Sequence, residues 1–167
     1  MSYKTIKVKN YLHVTVEREA SAAITPGMLI ELLSTGKVRK HATALGDAMP
    51  MFALEDSLQG KGIDSDYAAG DQVQCWIPTR GDEVYALLAD EETIVIGDFL
   101  ASDGFGKLKK NTAENWGSND AQVANTVYSM PIVAVALEAK DLSTLPEGSE
   151  SSAGGDYYNP RILVRVV

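Results

Sequence analysis

The sequence predicts a mainly β protein: a small β-barrel or β-sandwich built from hairpins, with an extended N-terminal arm and little helix. Polar and apolar residues alternate along the first segment. Farther on, β-branched runs are separated by turns that contain Gly, Asp and Ser. A strand–turn–strand pattern also occurs twice in the same order. The 167 residues fit one domain, which we divide into an arm, residues 1–21, and a body, residues 22–167.

The first element is the stretch "KTIKVKNYLHVTVE". Its apolar residues Ile6 and Val8, and then Leu12, Val14 and Val16, recur at period two. This spacing is typical of an extended strand, because successive side chains of a strand point to opposite faces. We therefore expect an extended arm here.

The next elements form a repeat. "ITPGMLIELLSTGKVRK", residues 24–40, is matched later by "IVIGDFLASDGFGKLKK", residues 94–110. Each predicts a strand, a turn at Gly36 or Gly106, and a returning strand that ends in basic residues. Met-Pro and an apolar run follow each copy. The recurrence of these segments in the same order favours an internal duplication, with two copies of one β-motif packed together. The alternative is that two similar hairpin sequences arose independently.

The remaining elements are assigned from turn residues and β propensity. "GDQVQCWIPTRGDEVYALLA" predicts a hairpin around residues 78–82. The runs "MPIVAVALEA" and "RILVRVV" suit central strands. Residues 120–129 predict about two helical turns behind an Asp cap. Residues 143–160, rich in Ser, Gly and Glu, predict a long surface loop.

Charge is unevenly distributed along the chain. Residues 1–41 carry a net +4 and the remainder −12, which gives the total of −8. An acidic body argues against nucleic acid as the main partner, because phosphate repels it. A basic first segment fits docking on an acidic protein surface, and solvated charge on an ordinary strand fits equally well. No stretch approaches the roughly 20 apolar residues of a membrane helix or resembles a signal peptide, so neither membrane insertion nor export is expected.

Motifs for cofactor or catalytic chemistry are not found. A phosphate-binding loop needs a glycine before its Gly-Lys pair and Ser or Thr after it, but Glu31 and Val38 hold those places in the first copy. His13 and His41 have no partner at metal-ligand spacing, so both are expected at the surface or half-buried. No cofactor, metal ion or catalytic residue is therefore predicted, and the chain is not expected to be an enzyme.

Other reactive side chains have simple interpretations. Cys75 can form no internal disulfide, because it is the one cysteine of the chain, and its period-two spacing with Val73 and Ile77 predicts a buried, inert thiol. The acidic stretches 64–66 and 90–92 are expected to be solvated turns, with a weak divalent-ion site as the alternative.

Trp76 is the candidate interface anchor. It shares a strand face with Gln72 and Gln74, so it faces outward if Val73 and Cys75 point into the core. The alternatives are burial under the loop of residues 143–160 and burial in a core that covers both faces of the strand. The other aromatic residues of this kind, Trp116 and Tyr157-Tyr158, lie in irregular segments and are weaker candidates.

The order of these segments resembles the head decoration proteins, also called capsid cement proteins, of tailed bacteriophages. The stretches that carry the resemblance are "ITPGMLIEL…GKVRKHA", "PMFALEDSLQGKGIDSDYAAGDQVQCWIPTRGDEVYALLA", "IGDFLASDGFGKLKK" and "PIVAVALEAKDL…RILVRVV". The resemblance implies a non-enzymatic β-barrel-like protein that binds the outside of an assembled capsid and stabilises it. It also implies that the partners are the major capsid protein and further copies of the chain in a homotrimer. The protein would be made in the host cytoplasm and located on the virion surface.

The arm is the expected contact with the capsid. We expect it to be loosely ordered in the free protein and to add a strand to a neighbouring sheet edge when bound. The candidate contact residues are Tyr3, Lys4, Ile6, Lys7, Val8, Lys9 and Leu12, together with Trp76. The alternative function is a carbohydrate- or host-surface-binding β module that uses Trp76, Trp116 and the tyrosines.

Overall fold

The structure, a computed structural model, describes residues 4–9, 14–112, 114–116, 125–127, 131–144 and 159–167. Fifteen short strands and one 3-10 turn, Ser57–Gln59, account for its regular structure in these residues. The strands are β1 (Lys7–Lys9), β2 (Thr15–Glu19), β3 (Ile30–Leu32), β4 (Val38–Lys40), β5 (Phe52–Ala53), β6 (Gln72–Trp76), β7 (Glu83–Leu87), β8 (Thr93–Ile94), β9 (Phe99–Ser102), β10 (Leu108–Lys110), β11 (Glu114–Trp116), β12 (Asn125–Val127), β13 (Ala134–Ala136), β14 (Lys140–Asp141) and β15 (Arg161–Val166). The predicted mainly β class is confirmed.

Two groups of five strands share one topology. In the first unit, defined as β2 to β6, the sheet β2-β6-β5 is joined to the hairpin β3-β4 through a bridge between Phe52 and Leu29. In the second unit, defined as β7, β9, β10, β13 and β15, the strands follow the order β7-β15-β13-β9-β10. Strand β1 pairs with the other side of β7 and completes a six-stranded sheet.

The pairing register agrees between the units. Ile30 faces Lys40 in the first hairpin, and Leu100 faces Lys110 in the second. Trp76 is the register partner of both Thr15 and Phe52. Arg165 occupies the equivalent position in the second unit, where its register partners are Glu83 and Val135. The repeat predicted from the sequence is therefore confirmed as a repeated structural unit.

Glycine makes the two hairpin turns possible. Gly36 has a φ of 81° and Gly106 a φ of 84°, both in the left-handed region that L side chains rarely adopt. This confirms the role predicted for both residues.

Two hydrophobic clusters form the core. The cluster inside the first unit consists of Ala20, Ile24, Ile30, Val38, Met51, Ala53, Tyr67, Val73 and Cys75. The larger cluster consists mainly of residues of the second unit. It also includes four residues of the first unit and Ile6 of the arm. Those four residues are Leu29, Phe52, Leu54 and Trp76. The opposite faces of the first sheet thus belong to different clusters.

The sheets of the described residues do not close into a barrel. Single parallel bridges, Ala20 with Val38 and Leu88 with Leu108, connect the two outermost strands of each unit, β2 with β4 and β7 with β10, but no continuous ladder does so. The barrel part of the predicted class is therefore not confirmed, whereas packed antiparallel sheets built from hairpins are observed.

The prediction that the strands on either side of residues 78–82 pair as a hairpin is wrong. Strands β6 and β7 belong to different sheets, because β6 ends the first unit and β7 begins the second. The turn itself forms: the Asp82 carboxylate accepts a hydrogen bond from Thr79 N, and Gly81 has a φ of 100°. The turn connects two units and does not fold one strand back on another.

The helix predicted over residues 120–129 is contradicted where it is described. Asn125–Val127 is a strand that pairs with Glu114–Trp116, so tertiary pairing overrides the weak helical signal. The rest of that segment lies outside the described residues, as does most of the predicted loop 143–160. No helix within the described ranges is long and apolar enough to cross a membrane.

Candidate functional site

The described part of the arm is extended, as expected, and it pairs with the body of the same chain. Residues Lys7–Lys9 pair with β7, and Thr15–Glu19 pair with β6. Tyr3 and Leu12 lie outside the described residues, so their contacts stay a prediction. The boundary at residue 21 also stays a prediction.

The lysines of the arm follow the edge of the six-stranded sheet. Strand β1 is the last strand on that side. Lys4 and Lys9 are exposed, and Lys7 and Val8 are half-buried. Lys9 Nζ lies 3.9 Å from the Glu83 carboxylate, and Lys7 Nζ lies 5.9 Å from the centre of a Trp76 ring. The edge strand therefore carries two lysines, whose ammonium groups lie near Glu83 and Trp76 of the body.

Ile6 has a different role from its neighbours. It is fully buried, and its carbonyl accepts a hydrogen bond from Tyr85 N at 2.7 Å. Its own N–H donates to Glu55 Oε2 at 3.2 Å, and the Thr5 hydroxyl donates to Glu55 Oε1. Ile6 anchors the arm to the body and is not a surface contact in this structure.

Trp76 does not face outward, so that prediction is wrong. Its side chain is 0% exposed, within the cluster shared by the two units. Val73 and Cys75 on the same strand pack into the other cluster. Both faces of β6 are buried because the second unit covers the face that a lone sheet would leave to solvent. The glycan-binding alternative therefore loses Trp76 as a surface residue.

His41 was expected at the surface or half-buried, and the structure corrects this. The imidazole is buried, with Nδ1 2.7 Å from Ser102 Oγ and Nε2 3.2 Å from the Asp47 carbonyl. Glu31 Oε2 lies 3.8 Å from Nε2. His13 lies outside the described residues.

The Ser, His and Glu side chains resemble a nucleophilic triad in composition only. Ser102 is fully buried, and its Oγ already accepts a hydrogen bond from Gly104 N at 3.1 Å. A nucleophile must reach a substrate carbonyl, and this hydroxyl has no solvent access. The cluster joins the hairpin of the first unit to the hairpin of the second, which is a structural role.

Arg161 forms a second joint between the units. It is buried, and its guanidinium donates hydrogen bonds to Asp64 Oδ1 at 2.7 Å and to the Pro26 carbonyl at 3.2 Å. A further bond goes to the Ile63 carbonyl. Arg161 is in the last strand of the second unit, whereas these three acceptors all belong to the first. Sequence reasoning missed this residue, because a lone arginine in an apolar strand carries no motif.

The acidic groups and the thiol have structural explanations. Asp64 pairs with Arg161, and Glu92 Oε2 accepts a hydrogen bond from Lys110 N at 3.1 Å. No group of three metal-ligating side chains occurs in the part of the chain that is described. Cys75 is buried as predicted, and burial raises the pKa of its thiol to about 11.

An exposed apolar turn follows β8 and was not anticipated. Val95, Ile96 and Phe99 are 54%, 69% and 51% exposed. A signal was available in the sequence: the turn of the first copy reads Thr-Pro-Gly, and that of the second reads Val-Ile-Gly. Exposed apolar side chains that cluster in this way are typical of interaction surfaces.

The chain was compared with protein-family models, curated proteins and solved structures. No protein-family model matches the sequence, and a search of curated proteins finds no match. Among solved structures, the head fiber gp8.5 N base of bacteriophage phi29 matches with a TM-score of 0.48 and 12% sequence identity. The match covers 93% of this chain and 95% of that chain. At this level of similarity we draw no functional conclusion from it.

Proposed function

We propose that this chain is a non-enzymatic structural protein that binds the outside of an assembled bacteriophage capsid and stabilises it. The observation that carries the proposal is the basic edge strand β1. Within the described residues no further strand pairs with the outer side of β1, which carries Lys7 and Lys9, and Lys4 lies three residues before Lys7. An acidic, extended segment of a capsid subunit would add a strand there and complement these charges.

The resemblance of the sequence to head decoration proteins supports the same function. The segments that carry it include both hairpins of the repeat and the strands beside them. The buried polar side chains have structural roles, because the Ser102–His41 pair and Arg161 make hydrogen bonds that hold the two units together. A rigid body with an open strand edge is suited to bridging capsid subunits.

Lysines on an edge strand can also protect a protein against aggregation, and this role must be distinguished from capsid binding. Lysines on edge strands discourage uncontrolled pairing, so charge alone does not distinguish a binding edge from a protected one. Under the proposal, Lys4, Lys7, Val8 and Lys9 contact the capsid. Ile6 is excluded as a direct contact while it anchors the arm.

The test is co-sedimentation with purified capsids that lack this protein, followed by thermal denaturation of the loaded capsids. The wild type should bind and raise the capsid melting temperature, and the K4E/K7E/K9E variant should bind at least tenfold more weakly. The K61E/K140E variant, which reverses two half-buried lysines outside the arm, should bind like the wild type. Equal binding by all three proteins would reject β1 as the contact, and absence of wild-type binding would reject the function.

A further inference from the structure

The two units contain the same tight turn at the start of their hairpins. In the first unit Met28 N donates to the Thr25 carbonyl at 3.1 Å, and Gly27 has a φ of 93°. In the second unit Asp98 N donates to the Val95 carbonyl at 3.1 Å, and Gly97 also has a φ of 93°. The main chain is therefore the same at both places.

The first turn lies against the second unit. Leu87 N donates to the Gly27 carbonyl at 3.0 Å, and Leu29 N donates to the Gly106 carbonyl at 2.8 Å. A Cβ placed on Gly27 would come within 3.2 Å of the Tyr85 carbonyl. This turn and the strand after it form one half of the interface between the units.

The second turn is open on the same side. A Cβ placed on Gly97 would meet no atom of the described residues within 4 Å. Val95, Ile96 and Phe99 stand where the first unit has the buried residues Thr25, Pro26 and Leu29. The second unit thus exposes, with larger apolar side chains, the face that the first unit uses to bind a unit of this fold.

The other half of that interface is also open, on the first unit. Within the chain it is provided by Leu87, at the end of β7, and by the Gly106 turn. The equivalent positions in the first unit are Glu19, at the end of β2, and Gly36. Strand β2 is the edge of its sheet in the described residues, and a Cβ on Gly36 would meet no atom within 4 Å.

We propose that copies of this chain associate head to tail. The turn of residues 95–99 in one copy lies against β2 and the Gly36 turn of the next copy. This contact between copies repeats the contact that joins the two units within one chain. Glu19 N would donate to the Gly97 carbonyl, and Phe99 N to the Gly36 carbonyl. The occupant is a second copy because the matching face already binds a unit of this fold. A head-to-tail interface whose rotation closes forms a ring, the symmetry that a homotrimer requires.

The experiment measures the mass of the protein in solution, without capsids, over a concentration series. It is therefore independent of the proposed function and of the lysines of β1. The I96D/F99D variant disables the turn. The E19P variant disables β2, because proline removes an N–H that points away from β6 and is tolerated on an edge strand. The L58D variant, at a residue 84% exposed in the 3-10 turn, is the control.

The wild type and L58D should form a concentration-dependent oligomer, and each disabled variant alone should be monomeric. An equimolar mixture of the two disabled variants should form a dimer and nothing larger, because each copy retains one half of the interface. A monomeric wild type, an I96D/F99D variant that assembles like the wild type, or a mixture that stays monomeric would each overturn the proposal.

Cross-linking tests the same contact if a disabled variant does not fold. On oxidation, T35C/D98C should form disulfide-linked oligomers, since Thr35 is next to Gly36 and Asp98 is equivalent to Met28, which lies 3.3 Å from a Cβ placed on Gly106. T35C/L58C should stay monomeric in the same assay. Equal cross-linking of both variants, or of neither, would overturn the head-to-tail arrangement.

Discussion

Arg161 Nη1 donates a hydrogen bond to Asp64 Oδ1 at 2.7 Å, and this contact joins the last strand of the second unit to a loop of the first. The two partners differ in environment: the arginine side chain is 5% exposed and the aspartate 65%. Most of the fixed geometry therefore comes from the carbonyls of Pro26 and Ile63, which bind the same guanidinium.

The R161L variant should be destabilised by about 2–4 kcal/mol, because the buried Pro26 carbonyl and the partly buried Ile63 carbonyl lose their donor. The D64N variant should cost less than about 1 kcal/mol, since a largely exposed ion pair contributes little. Urea unfolding followed by circular dichroism measures both. Equal losses in the two variants would show that the ion pair, and not the carbonyl contacts, holds this joint.

Gly27 and Gly97 allow packing to be separated from backbone strain. Both have a φ of 93°, so an alanine at either position is strained by about 1–2 kcal/mol. At Gly27 the new Cβ would also approach Ile6 Cδ1 and the Tyr85 carbonyl at 3.2 Å, whereas at Gly97 it would meet nothing within 4 Å. G27A should therefore lose clearly more stability than G97A in chemical unfolding. Similar losses would mean that the first turn is not packed against the second unit.

Trp76 should contribute to stability as a core residue and not to surface binding. W76A should cost about 3–5 kcal/mol, as for other large buried aromatic side chains. W76F should cost less than W76A, because Trp76 Nε1 has no hydrogen-bond partner in the described structure and only volume is lost. Tryptophan fluorescence of the wild type minus that of W76F should give a blue-shifted spectrum, typical of a buried indole. A difference spectrum typical of solvent-exposed indole would place Trp76 at the surface.

The sequence was sufficient for the local elements and not for how they are combined. Gly36 and Gly106, with their basic returning strands, identified both hairpins, because turn chemistry is local. The pairing of β6 and β7 was mispredicted, because two consecutive strands with a turn between them look alike whether they share a sheet or connect two. That choice depends on contacts between residues distant in the sequence.

The same limit explains the errors at the candidate site. Period two correctly separated Val73 and Cys75 from Trp76, but it could not show that a second unit covers the other face of β6. His41 and Ser102 lie in different hairpins, so their 2.7 Å contact leaves no spacing pattern in the sequence. Arg161 was missed for the same reason.

Alkaline pH should destabilise the first unit through two buried groups. Burial raises the pKa of Cys75 to about 11 from its ordinary 9.0, and the pKa of Tyr67 to about 12 from 10.0. The folded state therefore keeps protons that the unfolded chain releases. The stability due to these groups is complete below pH 9 and is lost progressively as the pH rises toward 12.

C75A and Y67F should each remove part of this loss, on the order of 2 kcal/mol between neutral pH and the end of that range. Y67F also loses the 2.9 Å hydrogen bond to the Leu54 carbonyl, so each variant is compared with its own stability at neutral pH. Urea midpoints measured across the pH range provide the test, and C75A should react with no thiol reagent in either state. If the double variant C75A/Y67F declined with pH as steeply as the wild type, other groups would be responsible for the alkaline unfolding.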